Sequence, residues 1–269
     1  MRFEETGLAA GVAVNGDGRA QASMGTDLGD YDGDGRLDLM ITTFSEDTKT
    51  LFHSTGPGEF EDASWVSKVG PASWLFLSWG VKFLDFDNDG WLDLVIANGH
   101  VYPEADRFSG GSTYRQRLLL YRNRGKGAFE EIAGKDSVLS AAGAGRGLAI
   151  GDIDNNGTMD ILVNRQDAAP QLLRNDRASG NWVGVALIGH RSNRDGVGAM
   201  VTVKAGGRTR TAVRLAGDSY LSSSDPRLHF GLGDASVVDS ISVRWPSGVV
   251  QNIGSRPAGQ IIVLEEPEK

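Results

Sequence analysis

Apolar residues along this chain come in short runs set between polar, glycine-bearing stretches. Leu39-Met40-Ile41, Leu94-Val95-Ile96 and Ile161-Leu162-Val163 are too short for helices, and the Gly, Asn and Asp residues around them mark them as strands. Before residue 181 no stretch sustains a 3.6-residue period. From Trp182 the pattern changes to alternating strands, expected over Val183–Ile188, Ala199–Lys204, Thr209–Leu215, Val237–Trp245 and Ile261–Leu264. Trp245-Pro246-Ser247-Gly248 reads as a tight turn between two of them. The chain is therefore expected to be all-β. A boundary near Arg177–Gly180 separates residues 1–180 from a small β-sandwich over residues 181–269.

The first part is repetitive, and the repeat sets the architecture. Asp30-Tyr-Asp-Gly-Asp-Gly-Arg-Leu-Asp38, Asp85-Phe-Asp-Asn-Asp-Gly-Trp-Leu-Asp93 and Asp152-Ile-Asp-Asn-Asn-Gly-Thr-Met-Asp160 align without gaps, their starts 55 and 67 residues apart. Each has a Gly-bearing lead (Met24-Gly25, Trp79-Gly80, Arg146-Gly147) and runs into an apolar strand. Two further landmarks recur: Leu51-Phe52-His53, Leu120-Tyr121-Arg122 and Leu172-Leu173-Arg174, then Phe3-Glu4-Glu5, Phe60-Glu61-Asp62 and Phe129-Glu130-Glu131. The unit reads as strand, acidic loop, strand, turn, strand, Gly-rich turn and Phe-Glu strand. Four short strands in such a repeat are the size of a propeller blade.

The spacing Asp-x-Asp-x-Asp-Gly-x-x-Asp has a chemical reading. Side chains at positions 1, 3 and 5 converge only if the chain curls around a centre, and glycine at position 6 (Gly35, Gly90, Gly157) permits the curl. The expected ligands are Asp30, Asp32, Asp34 and Asp38; Asp85, Asp87, Asp89 and Asp93; and Asp152, Asp154, Asn156 and Asp160, with backbone carbonyls from Arg36, Trp91 and Thr158 at position 7. An all-oxygen, carboxylate-rich cage suits Ca²⁺ better than Mg²⁺, which prefers a tight octahedron with retained water. Zinc would want His or Cys, which the motif lacks. Position 12, a bidentate Glu in an EF-hand, is Ile41, Ile96 or Val163 here, so the EF-hand reading fails. Asp and Gly also favour plain turns, but three copies of one spacing argue against turns alone. About three Ca²⁺ ions are expected in a structural role, the third site being weakest because Asn156 replaces an Asp. A catalytic metal would need an open coordination position and a nearby base, and no such cluster is visible.

Charge fits this picture. Net charge is −8, with +2 on residues 181–269 and hence −10 on residues 1–180, and 11 of the 35 acidic residues lie in the three loops. That argues against nucleic acid, which needs a basic face, and three Ca²⁺ would bring −10 to −4. Glycine is abundant, 37 of 269 residues, as in turn-rich β proteins. With no cysteine, disulfides, zinc thiolates and thiol nucleophiles are excluded. No apolar stretch is long enough for a membrane-spanning helix. The N-terminal residues lack the apolar core of a signal peptide, so the chain is either cytoplasmic or a mature or truncated piece.

Other candidates are fewer. Residues 98–116 form a long irregular stretch in which His100, Tyr102, Tyr114 and Arg115 would contact a partner, unless the stretch is a packed crossover. His53, His100, His190 and His229 are scattered, pair with no spaced carboxylate and read as structural. Ser222-Ser-Ser-Asp225 could carry a nucleophile, but no Gly-x-Ser-x-Gly elbow exists. The tryptophans read as core, although Trp65 or Trp74, if exposed, would suit sugar stacking.

The acidic loops with their Gly-bearing leads resemble FG-GAP/VCBS repeats, the calcium-binding blades of integrin-α-like propellers. Residues 181–265 resemble the ASPIC/UnbV domain in Asn181-Trp182-Val-Gly-Val, Ser192-Asn-Arg-Asp-Gly-Val-Gly-Ala199, Gly217-Asp-Ser-Tyr-Leu-Ser-Ser-Ser-Asp-Pro-Arg-Leu-His-Phe-Gly-Leu-Gly233 and Val243-Arg-Trp-Pro-Ser-Gly248. Together these resemble the cartilage acidic protein family and its bacterial relatives. The resemblance implies partial integrin-α-like β-propeller blades before the sandwich and a secreted, periplasmic or cell-surface location. It implies a non-catalytic binding or adhesion module whose partner is a protein or glycan. The rivals are a glycan-binding lectin and a polysaccharide lyase or hydrolase. Such propellers usually have about seven blades, and three or so cannot close a ring. The chain is thus expected to be a fragment, an open arc, or half of a pair self-associating through an open blade edge; Phe3-Glu4-Glu5, mid-repeat at the start, favours the fragment.

Overall fold

The computed structural model describes residues 3–107, 110–135, 138–176 and 179–268. The first sheet is an antiparallel meander of β1 (Thr26–Gly29), β2 (Asp38–Ile41), β3 (Thr50–Gly56) and β4 (Glu59–Asp62). The second repeats it with β5 (Ser78–Leu84), β6 (Asp93–Asn98), β7 (Leu119–Asn123) and β8 (Phe129–Glu131). The third holds β9 (Gly145–Gly151), β10 (Asp160–Arg165) and β11 (Gln171–Leu173). In every sheet the acidic segment joins the first strand to the second.

Side-chain alternation stacks the sheets. On β6, Leu94 and Ile96 share a core with Met40 and Leu51 of the first sheet. Val95 and Ala97, on the opposite face, share one with Leu148, Ile161 and Val163 of the third. A strand covered on both faces reads as a continuous apolar run, as Leu94-Val95-Ile96-Ala97 does. On β10, Ile161 and Val163 are buried whereas Leu162 between them is 45% exposed. The sheets are blades of a β-propeller.

The sandwich comprises β12 (Asn181–Ile188), β13 (Met200–Ala205), β14 (Arg208–Val213), β15 (Leu228–Gly233), β16 (Val237–Val238), β17 (Ser240–Arg244), β18 (Val250–Ile253), β19 (Arg256–Pro257) and β20 (Gln260–Glu265). Its larger sheets, ordered β15-β12-β20 and β14-β13-β17-β18, enclose Val183, Val185, Val201, Val203, Phe230, Ile241 and Trp245. The turn at Trp245–Gly248 is present, Gly248 N donating to Trp245 O at 2.9 Å. The single strand expected over Val237–Trp245 is split at Asp239, whose N–H leaves for Lys204 O. Three strands were not legible: β15 carries two glycines, β18 is Val-Gln-Asn-Ile and β19 is only Arg-Pro, so none has a strand-like composition.

Phe3-Glu4-Glu5 is not a strand; Phe3 is exposed. Of the expected boundary, Arg177 and Ala178 lie outside the described residues. The expectation of a bare edge on the first sheet also changes. On β4, Phe60 N donates to Ala10 O (2.9 Å), and on β1, Thr26 and Ser219 exchange both backbone hydrogen bonds (3.2 and 3.0 Å).

That last contact belongs to a larger arrangement. Residues 218–225, from the C-terminal part, run along the first strands of all three blades. Ser219 Oγ accepts Val81 N (2.9 Å), Ser222 Oγ accepts Leu148 N (3.1 Å) and Ser224 Oγ accepts Ile150 N (3.2 Å). The serine-rich segment therefore satisfies strand-edge donors that would otherwise lack partners. Beside it, Lys82 Nζ of β5 lies 2.7 Å from Asp27 of β1 and 2.8 Å from Asp218, all three side chains buried.

Candidate metal centres

Each acidic loop is built the same way. The carboxylate at position 1 accepts two backbone N–H groups of its own loop: Gly33 and Gly35 on Asp30 (2.9 and 3.0 Å), Asp89 and Gly90 on Asp85 (3.1 and 2.8 Å), Asn156 and Gly157 on Asp152 (3.0 and 2.9 Å). The curl needs left-handed backbone at position 6, where Gly35, Gly90 and Gly157 have φ of 89, 87 and 86°. It also needs it at position 4, where Gly33, Asn88 and Asn155 have φ of 77, 58 and 58°.

Position 9 does something the spacing alone did not reveal. Asp38, Asp93 and Asp160 are buried, and each uses one oxygen on the loop's second residue and the other on a residue in or just beyond the end part of the third strand. Asp38 accepts Tyr31 N (3.2 Å) and Ser54 N (2.9 Å), Asp93 accepts Phe86 N (3.1 Å) and Asn123 N (2.8 Å), and Asp160 accepts Ile153 N (3.0 Å) and Asn175 N (2.8 Å). The two asparagines reach on to the preceding blade's loop: Asn123 Nδ2 donates to Tyr31 O (2.8 Å) and Asn175 Nδ2 to Phe86 O (2.6 Å). A signal for them existed, since Asn follows Arg in both Arg122-Asn123 and Arg174-Asn175.

Among the described residues, three carboxylate oxygens meet in each of the three loops. Asp30, Asp32 and Asp34 offer one each within 4.8 Å of one another, as do Asp85, Asp87 and Asp93, and Asp152, Asp154 and Asp160. Asp38 lies with Asp32 and His53 in a further group. Asp89 stands outside its loop's trio, accepting Trp91 N (2.9 Å) and facing Arg122 at 3.7 Å. Asn156 Oδ1 is taken by Thr158 N (2.8 Å) and Thr158 Oγ1 (2.6 Å). Of the position-7 side chains, Arg36 pairs with the expected ligand Asp34 and donates to Ser54 O, whereas Trp91 lies under Arg208 at 4.5 Å.

Clustering and burial act on these acids. Burial, against the hydrogen bond from Gly35, raises Asp30 to about 7; burial likewise raises Asp38 to about 6. Burial and the neighbouring Asp89 raise Asp85 to about 8, and burial raises Asp87 and Asp93 too. Carboxylates this costly to ionise are relieved by a cation. The all-oxygen donor set fits a hard divalent metal, so the clusters can hold a metal ion.

The histidines correct the sequence reading. His53 Nδ1 is 3.1 Å from Asp38 and 3.4 Å from Asp32, so the first loop does have an imidazole beside it. His190 Nε2 is 3.2 Å from Glu265, and His229 Nε2 is 2.7 Å from Asn88 Oδ1. Linear spacing hid these pairs because sheet pairing and domain contact create them. In the irregular stretch, His100 is buried and its Nδ1 accepts Tyr102 N (3.1 Å), so it is no surface contact; Tyr102 and Arg115 are exposed.

Comparison with known proteins agrees with this organisation. Residues 30–96 and 105–163 match the FG-GAP-like repeat model, and residues 189–269 match ASPIC and UnbV. The chain is 26% identical over 279 residues to Cartilage acidic protein 1 of Mus musculus and 26% identical over 278 residues to that of Homo sapiens. These alignments cover 99 and 98% of this chain but 40 and 39% of the relatives, so the chain spans about two fifths of their length. Protein linkin of Caenorhabditis elegans is 28% identical over 102 residues, 38% of this chain and 16% of that protein. The chain is an array of FG-GAP-like repeats followed by an ASPIC and UnbV domain, and it resembles the cartilage acidic proteins over nearly its whole length.

Proposed function

We propose that this chain is a calcium-binding, non-catalytic module for binding or adhesion outside the cell, in which Ca²⁺ fixes the blade loops. The observation that carries the reading is that every loop gathers three carboxylate oxygens within 4.8 Å around a position-1 acid held by two backbone N–H groups, positions 1 and 3 being joined by position 5 in the first loop and by position 9 in the other two. Asp30, Asp32, Asp34 and Asp38 would serve the first ion; Asp85, Asp87, Asp89 and Asp93 the second; Asp152, Asp154, Asn156 and Asp160 the third. Carbonyls of Arg36, Trp91 and Thr158 complete the sets. The third site is the weakest, because Asn156 brings no charge and its Oδ1 already accepts two bonds. In this reading residues 1–180 are the calcium scaffold and residues 181–269 a second domain.

Calorimetric titration of the chelator-stripped chain with Ca²⁺, with melting followed in parallel, is the test. About three sites and a raised Tm are expected; a site held at 100 times its Kd adds about 2.7 kcal/mol. The third site should empty first under chelator. Silent calorimetry with an unchanged Tm would reduce the loops to Asp-Gly turns.

Exposed aromatics favour a second reading, a glycan as the partner. Trp65 is 58% and Trp74 40% exposed, with Val66 and Leu75 exposed beside them in sequence. A glycan array read with and without chelator separates the cases: retention indicates a lectin, product release an enzyme, and silence a protein partner.

A further inference from the structure

We infer that the second acidic loop is also the joint on which β15 of the sandwich docks, so that a divalent cation held there governs how firmly this part of the sandwich is seated. This rests on the cation reading above and extends it from loop stability to domain contact.

The contacts converge on position 4 of the loop. Asn88 is buried and has left-handed backbone, with φ of 58°. Its backbone oxygen accepts Gly233 N at 2.8 Å. Its Nδ2 donates to Gly157 O of the third loop (2.8 Å), which leaves Oδ1 to accept from His229 Nε2 at 2.7 Å. One residue earlier, Asp87 O accepts Gly180 N (3.3 Å) at the entry to the sandwich. Asn88 thus ties the second blade to the third blade's loop and to both ends of β15, and Asp87 ties it to the entry of β12.

The backbone lies close as well. A Cβ on Gly231 of β15 would overlap Asp85 Oδ2, and one on Gly180 would overlap Asn88 O. Only glycine allows β15 to rest against the loop's first carboxylate. From β14, Arg208 sits over Trp91 and Arg210 reaches Gly90, its buried Nε without a hydrogen-bond partner. The first loop faces a different neighbour, Gly33 lying on Trp91.

The physical link is the curl. Without a metal ion, Asp85, Asp87 and Asp93 crowd their oxygens, relieved in part by Arg122, which pairs with Asp87 (2.5 Å) and faces Asp89 (3.7 Å), while two N–H groups on Asp85 hold the turn. A cation gathers the carboxylates and locks the curl, and with it the position of Asn88. The serine segment 218–225 needs no ion, because its partners are strand edges. The sandwich side is also held at the third loop, where Arg227 donates to Asp152 O (2.7 Å) and Asn155 Oδ1 (2.5 Å) and Trp182 lies on Gly157, so the contacts at the second and third loops are cation-linked and the serine segment is not.

Hydrogen exchange of the full chain, with and without CaCl₂, tests this, with calorimetry in parallel. Calcium should slow the amides of Gly180 and Gly233 more than those of Val81, Leu148 and Ile150, which the serines hold. If the contact opens only when the ion leaves, the added protection reaches about 100-fold at calcium 100 times Kd. Asn88→Gly keeps the backbone conformation and the carbonyls that Gly180 and Gly233 bond, but removes the side-chain ties to Gly157 and His229; calcium should still bind, and the extra slowing should be reduced without being lost. Asp32→Asn, in the first loop, should leave it intact, and Asp87→Asn should abolish it. Calcium bound at the second loop with no preferential slowing at Gly180 and Gly233 overturns the joint while leaving the cation reading intact. Absence of any calcium binding removes both.

Discussion

Replacing Lys82 by methionine removes the one cation from a buried triad that spans two blades and the C-terminal segment. Lys82 Nζ lies 2.7 Å from Asp27 and 2.8 Å from Asp218, and the three side chains are 9, 1 and 8% exposed. Asp27 Oδ2 also accepts Phe83 N (2.8 Å), and Ser224 Oγ lies 3.2 Å from Asp218 Oδ1. Burial works against the Lys82 charge, but the attraction of Asp27 and Asp218 outweighs it and holds its pKa above the usual lysine value. Without the ammonium, two carboxylates are left buried and mutually repelling. Breaking a buried charge network this way costs about 3–5 kcal/mol. For a chain of this size that corresponds to a fall in Tm on the order of 10 °C. Urea unfolding of Lys82→Met against wild type measures it. The loss should grow as pH rises, since protonating either acid relieves the repulsion. The triple variant Asp27→Asn, Lys82→Met, Asp218→Asn should recover most of it, because no buried charge remains. A loss of Lys82→Met below about 1 kcal/mol at neutral pH would refute the argument that this triad fastens the C-terminal segment to the blades.

Three further outcomes are expected. Glu266 is buried, and although burial opposes its charge, bonds from Ser247 and Ser192 and the N–H groups of His190 and Arg191 push its pKa down to about 2. A depressed acid stabilises above its unfolded pKa, so sandwich stability should fall as pH drops from about 4.5 towards 2; melting of Glu266→Gln should lose this dependence. Gly157→Ala should be much worse than Gly35→Ala although both have φ near 87°. The first drives a Cβ into Trp182, whereas the second meets open space and costs about 1–2 kcal/mol of backbone strain; equal losses in urea melts would contradict this. Trp245→Ala empties the sandwich core and frees Gln251, which accepts its Nε1–H at 3.0 Å, for about 3–5 kcal/mol; a smaller loss by denaturant titration would mean the core closes over the gap.

Local chemistry made much of this protein readable in its sequence. Asp-x-Asp-x-Asp-Gly identifies a curled acidic loop because glycine's freedom and the reach of an Asp side chain act within a few residues. Short β-branched runs announced strands, and their regular recurrence announced blades. Strands with weak local signals stayed hidden: β15 and β18 exist because their neighbours supply the pairing and burial that glycine, Gln and Asn do not request. Tertiary structure alone decided what lies opposite what. It placed His53 beside Asp32 and Asp38, turned Ser222 and Ser224 from a possible reactive loop into acceptors along the edge of β9, with Ser219 serving β5 in the same way, and set Asn88 between two blades and the sandwich. Those contacts join residues up to 141 positions apart. No local pattern encodes them, because they are fixed by how sheets stack and which backbones can approach, and both are properties of the assembled fold.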